Sequence, residues 1–270
     1  QGSDSMSGLR HFLALDQFDR ETLNKLLERA EEHRLGGSRS QTMTSLERKL
    51  LAMIFTKAST RTRVSFEAAI FQLGGHAITL TEKDSQIGRG EPIEDTARVL
   101  SGYVDAIMIR TGPHDTLLSM AETAKVPVIN GLTDFNHPCQ ILADLITCKM
   151  AFPDLDYKDL RVAWIGDGNN VLRSWVHAAQ VLGFKLRIAS PSGYALEESK
   201  YALDSINAGH VTFHAAPRTA VESANVVTTD VWASMGQEQE RQQRIDAFQD
   251  YQVDDALMAC ADASAIFLHC

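Results

Sequence analysis

Short apolar runs alternate with amphipathic stretches along the whole chain, and this alternation restricts the fold more than any other feature. Eight runs have the length and character of buried strands: Leu50–Phe55, Ala106–Ile109, Val126–Ile129, Val162–Ile165, Leu186–Ala189, Val211–Phe213, Val226–Thr229 and Ala265–Leu268. Between them, apolar residues recur at helical spacing. Phe66, Ala69, Ile70 and Leu73 fall at i, i+3, i+4 and i+7, one face of a helix. Ile141, Leu142, Leu145 and Ile146 form a second such stripe. Strands separated by helices throughout predict an α/β fold of two domains, each a parallel β-sheet flanked by helices.

The segment Ala151-Phe-Pro-Asp-Leu-Asp interrupts a long helical pattern before the next strand begins, which predicts domains at 7–150 and 151–270. Chain length agrees, since 270 residues suit two domains of ordinary size. Lys and Arg number 26 against 35 Asp and Glu, a net charge of −9, which argues against a general nucleic-acid partner. No apolar run approaches the ~20 residues of a membrane helix, so no membrane partner is expected. The opening Gln1-Gly-Ser-Asp-Ser lacks an apolar signal core and reads as a cloning remnant ahead of Met6. Gly36-Gly-Ser-Arg-Ser-Gln reads as a surface loop. Four cysteines (Cys139, Cys148, Cys260 and Cys270) form no CxxC pair, as in reduced cytoplasmic proteins. Neither they nor the nine histidines show metal-site spacing, so no metal is expected.

Five segments carry chemistry. Ser59-Thr60-Arg61-Thr62-Arg63 follows a strand and opens a helix. Helix-start N–H groups favour an anion, and arginine forks bind phosphate oxygens in pairs. The segment suits an oxyanion site, or a capped helix with surface arginines. Asp134-Phe-Asn-His137-Pro138-Cys139-Gln140 also lies between strand and helix, with Pro138 in the first helical turn. His137 and Gln140 would sit at the helix mouth, either on a ligand or as structural groups. Ile165-Gly166-Asp167-Gly168-Asn169-Asn170 resembles the start of a dinucleotide fingerprint. Val171 stands at its third glycine position, and the next strand ends in Ser190-Pro191-Ser192 with no ribose-binding acid. A tight turn presenting Asn side chains fits better. Asp230, after a strand, suits a substrate ammonium or a cap for the polar segment Gln237–Phe248. Cys270, at the end of Phe267-Leu268-His269-Cys270, is a strand-edge thiol or a buried inert one.

Taken together, in this order and spacing, these segments resemble the aspartate/ornithine carbamoyltransferase family over Leu9 to Cys270. Ser-Thr-Arg-Thr-Arg and His-Pro-Cys-Gln are similar to the family's carbamoyl-phosphate motifs. Asp230-Val-Trp-Ala-Ser-Met-Gly is similar to the Asp-x-x-x-Ser-Met-Gly loop of its ornithine branch, and His269-Cys270 to the start of that branch's His-Cys-Leu-Pro. The resemblance implies a carbamoyl-phosphate-binding N-terminal domain, an ornithine-binding C-terminal domain, and a homotrimer with shared active sites. Carried over, Ser59, Thr60, Arg61, Thr62, Arg110, His137 and Gln140 hold carbamoyl phosphate, joined by Gln86 from a neighbouring subunit. Asn170, Asp230, Ser234 and Met235 hold L-ornithine, and Cys270 lies at the reacting centre. The catalytic set is Arg110, His137, Asp230 and Cys270. The family continues past His-Cys with Leu-Pro, an Arg-containing segment and a last helix, none of them within these 270 residues.

The implied reaction transfers the carbamoyl group to the ornithine side-chain amine, forming citrulline and phosphate in arginine biosynthesis. Its chemistry suits these residues. Carbamoyl phosphate is a small dianion, and donors from Thr62, Arg110 and His137 match the carbonyl oxygen as it gains charge. No cofactor is needed: closing domains would hold the two substrates in attack geometry. Rival readings are a nicotinamide-dependent oxidoreductase using Gly166–Asn170, a carbamoyl-phosphate-binding homologue without turnover, and a transferase for putrescine or an acylated ornithine.

Overall fold

The computed structural model describes residues 11–36, 45–196, 206, 208–233 and 240–270. It divides into two compact units. One takes its described residues from 1–14 and 29–139, the other from 15–28 and 140–270. Met6, Leu9 and most of the loop expected after Gly36 lie outside the described residues.

The first unit holds a four-stranded sheet. β1 (Leu50–Phe55) lies between β2 (His76–Thr81) and β3 (Ala106–Arg110), and β3 pairs outward with β4 (Val128–Leu132). All three pairings are parallel. Parallel strands need crossover connections, and the helices α2 (Thr60–Gln72), α3 (Ile93–Leu100) and α4 (His114–Thr123) provide them. Alternate residues of one strand enter separate cores. Ala52 and Ile54 pack with Ile107, Ile109, Leu117 and Val128. Leu51, Met53 and Phe55 pack with Ile70 and Met108. A strand covered on both faces is apolar throughout, which is why β1 was readable as an unbroken run.

Two strands depart from the sequence reading. β2 was not anticipated: it is a half-exposed edge strand, with His76 and Ile78 facing water, so no apolar run announces it. β4 begins two residues later than Val126 and extends through Asn130 and Gly131. Pro127 has no N–H for a ladder, and the N–H donors of the polar Asn130 find partners inside the unit. Its N–H donates to the Phe12 carbonyl at 2.8 Å, and its Nδ2 to the Leu13 carbonyl at 2.9 Å. The β3–β4 register shifts between Ile109 and Arg110. Gly131 sits at this irregularity, where an added Cβ would lie 2.5 Å from the Met108 Sδ.

The second unit includes α1 (Arg20–Gly36) in part, α5 (Pro138–Ala151) in part, and a five-stranded sheet. The division between the two compact units falls inside α5, after Cys139. The strands are β5 (Arg161–Ile165), β6 (Lys185–Ala189), β7 (Val211–Phe213), β8 (Val226–Thr229) and β9 (Ile266–His269), in the order β7-β6-β5-β8-β9. Every pairing is again parallel. The central helix α6 (Asn170–Leu182) buries nine residues, including Leu172, Trp175 and Ala179, and the Trp175 ring meets Phe184 edge-on at 5.9 Å. The short α7 (Pro217–Val221) and α9 (Asp255–Met258) pack with Ala163, Ile165 and Val227, and α8 (Arg241–Phe248) buries Phe248.

Both sheets reverse direction at their middle. In the first unit the chain runs outward from β1 to β2, then restarts at β3 and runs the other way. In the second it runs outward from β5 to β7, then restarts at β8. Loops at such a switch point diverge, leaving a crevice at the carboxyl edge. The fold thus places the loops after β1 and β3, and after β5 and β8, where ligands are normally held.

The glycines after β5 are there for steric reasons. A Cβ on Gly168 would stand 2.2 Å from the Leu196 N, whereas one on Gly193 meets nothing within 4 Å. Gly168→Ala is expected to cost about 2 kcal/mol or more, because backbone must move. Gly193→Ala, strained only by its φ of +83°, is expected to cost about 1 kcal/mol. Denaturant unfolding of the two variants checks this order.

Candidate active site

In the first unit, Ser59 caps α2. Its Oγ accepts from the Thr62 N at 3.3 Å, and its backbone is extended as a cap requires. Thr62 in turn meets β3, since the Arg110 Nη1 donates to the Thr62 Oγ1 at 3.2 Å. The loop after β1 and the end of β3 are thereby joined across the switch point. The two arginines of the motif part ways. Arg63 pairs with Glu67 at 3.0 Å and belongs to the helix flank. Arg61 is exposed and carries no ion pair among the described residues. The loop after β4 is tied in as well: Lys57 donates to Asp134 at 2.7 Å, and the Asp134 N donates to the Gly112 carbonyl at 2.8 Å.

His137 immediately precedes α5 and is 7% exposed. Burial, reinforced by the Arg110 guanidinium, pushes its pKa down to about 3. At neutral pH the ring is therefore uncharged and offers one N–H donor. Gln140 follows on the first turn of α5, half-buried, with its Nε2 donating to the Asp144 Oδ1 at 3.0 Å. Gln86 is exposed, and its backbone carbonyl accepts from Arg89 and Glu91.

In the second unit, the Gly166–Asn170 turn is built as an Asn-presenting turn. Gly166 has a φ of +142°, and a Cβ there would lie 3.2 Å from the Thr229 Oγ1. Asn169 caps α6: its Oδ1 accepts from Val171 N at 3.0 Å and Leu172 N at 3.1 Å. Those are the helix-start donors that a dinucleotide pyrophosphate would use, so the cap stands against the oxidoreductase reading. The other end of the same amide donates from Nδ2 to the Asp230 Oδ2 at 2.8 Å. The structure thus brings Asn169, rather than its neighbour Asn170, onto Asp230. Asn170 is the first residue of α6 and half-buried. The signal for Asn169 was available in the sequence, as an Asn directly before a helical pattern.

Asp230 also accepts from the Val231 N at 2.7 Å. It does not cap α8, whose leading residue Glu240 provides no side-chain cap. Burial raises the Asp230 pKa above the usual carboxylate range, against the hydrogen bonds it accepts. Cys270 lies on the adjacent strand end: Thr229 pairs with His269, and the Cys270 N donates to the Thr229 carbonyl at 3.2 Å. Asp230 and Cys270 therefore leave neighbouring strands side by side. Ser234 and Met235 lie outside the described residues.

Arg244 was not singled out by its sequence context, although it is 7% exposed. It donates to the Asp167 Oδ2 at 3.0 Å, to the Trp232 carbonyl at 3.1 Å and to Glu240 at 3.2 Å. A single guanidinium thus braces both loops of the switch point. Nothing in a polar helix such as Arg241–Phe248 marks one arginine as buried. Among the described residues, no group of three or more His, Cys, Asp or Glu is arranged to hold a metal, and no helix is long and apolar enough to cross a membrane.

Residues 10–150 match the carbamoyl-P binding domain of the aspartate/ornithine carbamoyltransferases, and residues 158–270 match their Asp/Orn binding domain. The chain belongs to the aspartate/ornithine carbamoyltransferase family. Its similarity lies with the ornithine members. It is 50% identical to the ornithine carbamoyltransferase of Halorhodospira halophila over 97% of this chain and 86% of that one. The ornithine carbamoyltransferase of Acinetobacter baumannii is 49% identical, with 97% and 84% covered. Among solved structures, that of Pyrococcus furiosus ornithine carbamoyltransferase superposes with a TM-score of 0.90 at 44% identity, covering 99% of this chain and 86% of that one. The expected α/β fold of two parallel-sheet domains is the one observed.

The depressed pKa of His137 has a direct readout. Its ring proton resonances should stay constant from pH 8 down to pH 5, since protonation is centred at about 3. A titration midpoint near the ordinary 6.5 would contradict the burial described.

Proposed function

We propose that the chain transfers the carbamoyl group of carbamoyl phosphate to the side-chain amine of L-ornithine, giving L-citrulline and phosphate. The observation that carries this reading is a pair of oppositely charged clusters, each at the switch point of its own sheet. Arg61 and Arg110, with the capped start of α2, suit a dianion. Asp230, held by Asn169, suits an ammonium.

The steps follow from the chemistry. Ser59, Thr60, Arg61 and Thr62 hold the phosphate. Thr62, Arg110 and His137 face the carbonyl oxygen, and Gln140 the carbamoyl amine. Ornithine's side-chain amine has a solution pKa of about 10, so only about one molecule in a thousand is ready to attack at pH 7. Asp230 and Cys270 orient it and assist loss of its proton, without Cys270 forming a covalent intermediate. The free amine attacks the carbonyl carbon, and negative charge moves to oxygen. Arg110 meets that charge with a fixed cation and His137 with a neutral N–H, so neither has to reorganise. The intermediate then collapses and the C–O bond to phosphate breaks. Asn170, Ser234 and Met235 complete the ornithine site, and Gln86 reaches carbamoyl phosphate from a neighbouring subunit of a homotrimer. The enzyme works in the cytoplasm in arginine biosynthesis.

Citrulline formation, with putrescine and N-acetylornithine as competing acceptors, tests the reaction. Turnover is expected with ornithine alone; a folded protein that turns over no acceptor would be a binding homologue. Arg61→Ala is expected to weaken carbamoyl phosphate by about thirtyfold or more, the loss of two charged hydrogen bonds, and near-normal affinity would sink the assignment. Asp230→Asn should weaken ornithine far more than carbamoyl phosphate in the same steady-state assay. Mixing inactive Gln86→Ala and Asp230→Asn chains tests the shared site. Activity returns if Gln86 acts across subunits, and stays absent, despite subunit exchange, if each chain is self-sufficient.

A further inference from the structure

Asp144 lies on α5 one turn beyond Gln140 and is 9% exposed. The Gln140 Nε2 donates to its Oδ1 at 3.0 Å. An ionised carboxylate has no proton to donate, so it accepts only the nitrogen end of a neighbouring amide. The Gln140 carbonyl oxygen is thereby left for another donor. Carbamoyl phosphate supplies one, because its –NH2 group needs an acceptor. The arginines assigned to this ligand only donate, and the neutral His137 meets the carbonyl oxygen with its N–H.

We propose that Asp144 is a positioning residue that holds the Gln140 amide with its oxygen towards the carbamoyl –NH2, so that the site selects a carbamoyl group over an acyl group of equal size lacking N–H. The proposal rests on Gln140 being a carbamoyl-phosphate ligand, as read above. On a solvated helix surface a Gln–Asp pair of this spacing contributes only a few tenths of a kcal/mol and the amide turns freely. Here burial removes that freedom. A turned amide would set its oxygen against a carboxylate oxygen with little water to separate them.

Burial also pushes the Asp144 pKa up to about 6, with Asp230 adding repulsion and the Gln140 hydrogen bond opposing. Cys148, one turn along α5, also feels the Asp144 carboxylate; its thiol is pushed up to about 12 and stays neutral. Above about 6, Asp144 accepts and the amide points correctly. Below it, the carboxylic O–H becomes the better donor, and it draws the Gln140 oxygen towards itself.

The test uses two inert phosphonates that differ in one group: phosphonoacetamide carries –CO–NH2 and acetonylphosphonate carries –CO–CH3. Each is measured as a competitive inhibitor against carbamoyl phosphate. In the native protein, the preference for phosphonoacetamide is expected to fall about tenfold, one hydrogen bond, between pH 8 and pH 5. In Asp144→Asn the preference should no longer depend on pH, because no proton is gained. A pH-independent preference in the native protein overturns the proposal, as does the same dependence persisting in Asp144→Asn. Should that variant not fold, the native profile still decides. If the native protein binds neither compound, the carbamoyl-phosphate reading itself falls, an outcome separate from a missing pH dependence.

Discussion

Parallel pairing is the constraint on which the rest depends. It sends every strand of a sheet the same way, so all carboxyl ends meet along one edge. Crossover helices then start at that edge with their unpaired N–H groups. In both units the strand order reverses at the middle, so two loops diverge there and cannot close over each other. The chemistry of each site is what the sequence places on those two loops. Ser59, Thr62 and Arg110 occupy them in one unit, and Asn169 and Asp230 in the other.

Burial then sets the charge states. His137 is neutral because its surroundings and Arg110 both disfavour a second proton. Asp230 is pushed the other way by the same cause, desolvation, and hydrogen bonds only partly offset it. Arg244 is buried too, and its guanidinium donates to two carboxylates and a carbonyl. Truncating such an arginine costs more than the ion pair contributes, because Asp167, largely shielded from water, would lose its counter-charge.

The fold class was legible in the sequence because strands buried on both faces are written as unbroken apolar runs. β1 and β8 were readable to the residue for that reason. β2 was not, because an edge strand half in water has no such signature. β4 was misplaced because Asn130 and Gly131 look like turn residues, and only their distant partners Phe12, Leu13 and Met108 reveal a strand. At the sites, local motifs marked the residues that follow strands. What they did not mark were pairings set by tertiary structure: Asn169 on Asp230 and Arg244 on Asp167. None of these partners lies beside the other in a recognisable motif.

The Asn169 cap also has a bearing on inhibition. A helix opening after a glycine turn is an attractive berth for any phosphate, and nucleotides are abundant wherever amino acids are made. By filling that berth with its own amide oxygen, the second unit removes the vacancy before a nucleotide can compete for it. Millimolar nucleotide should then leave amino-acid binding undisturbed, an immunity that comes from occupancy rather than from repulsion.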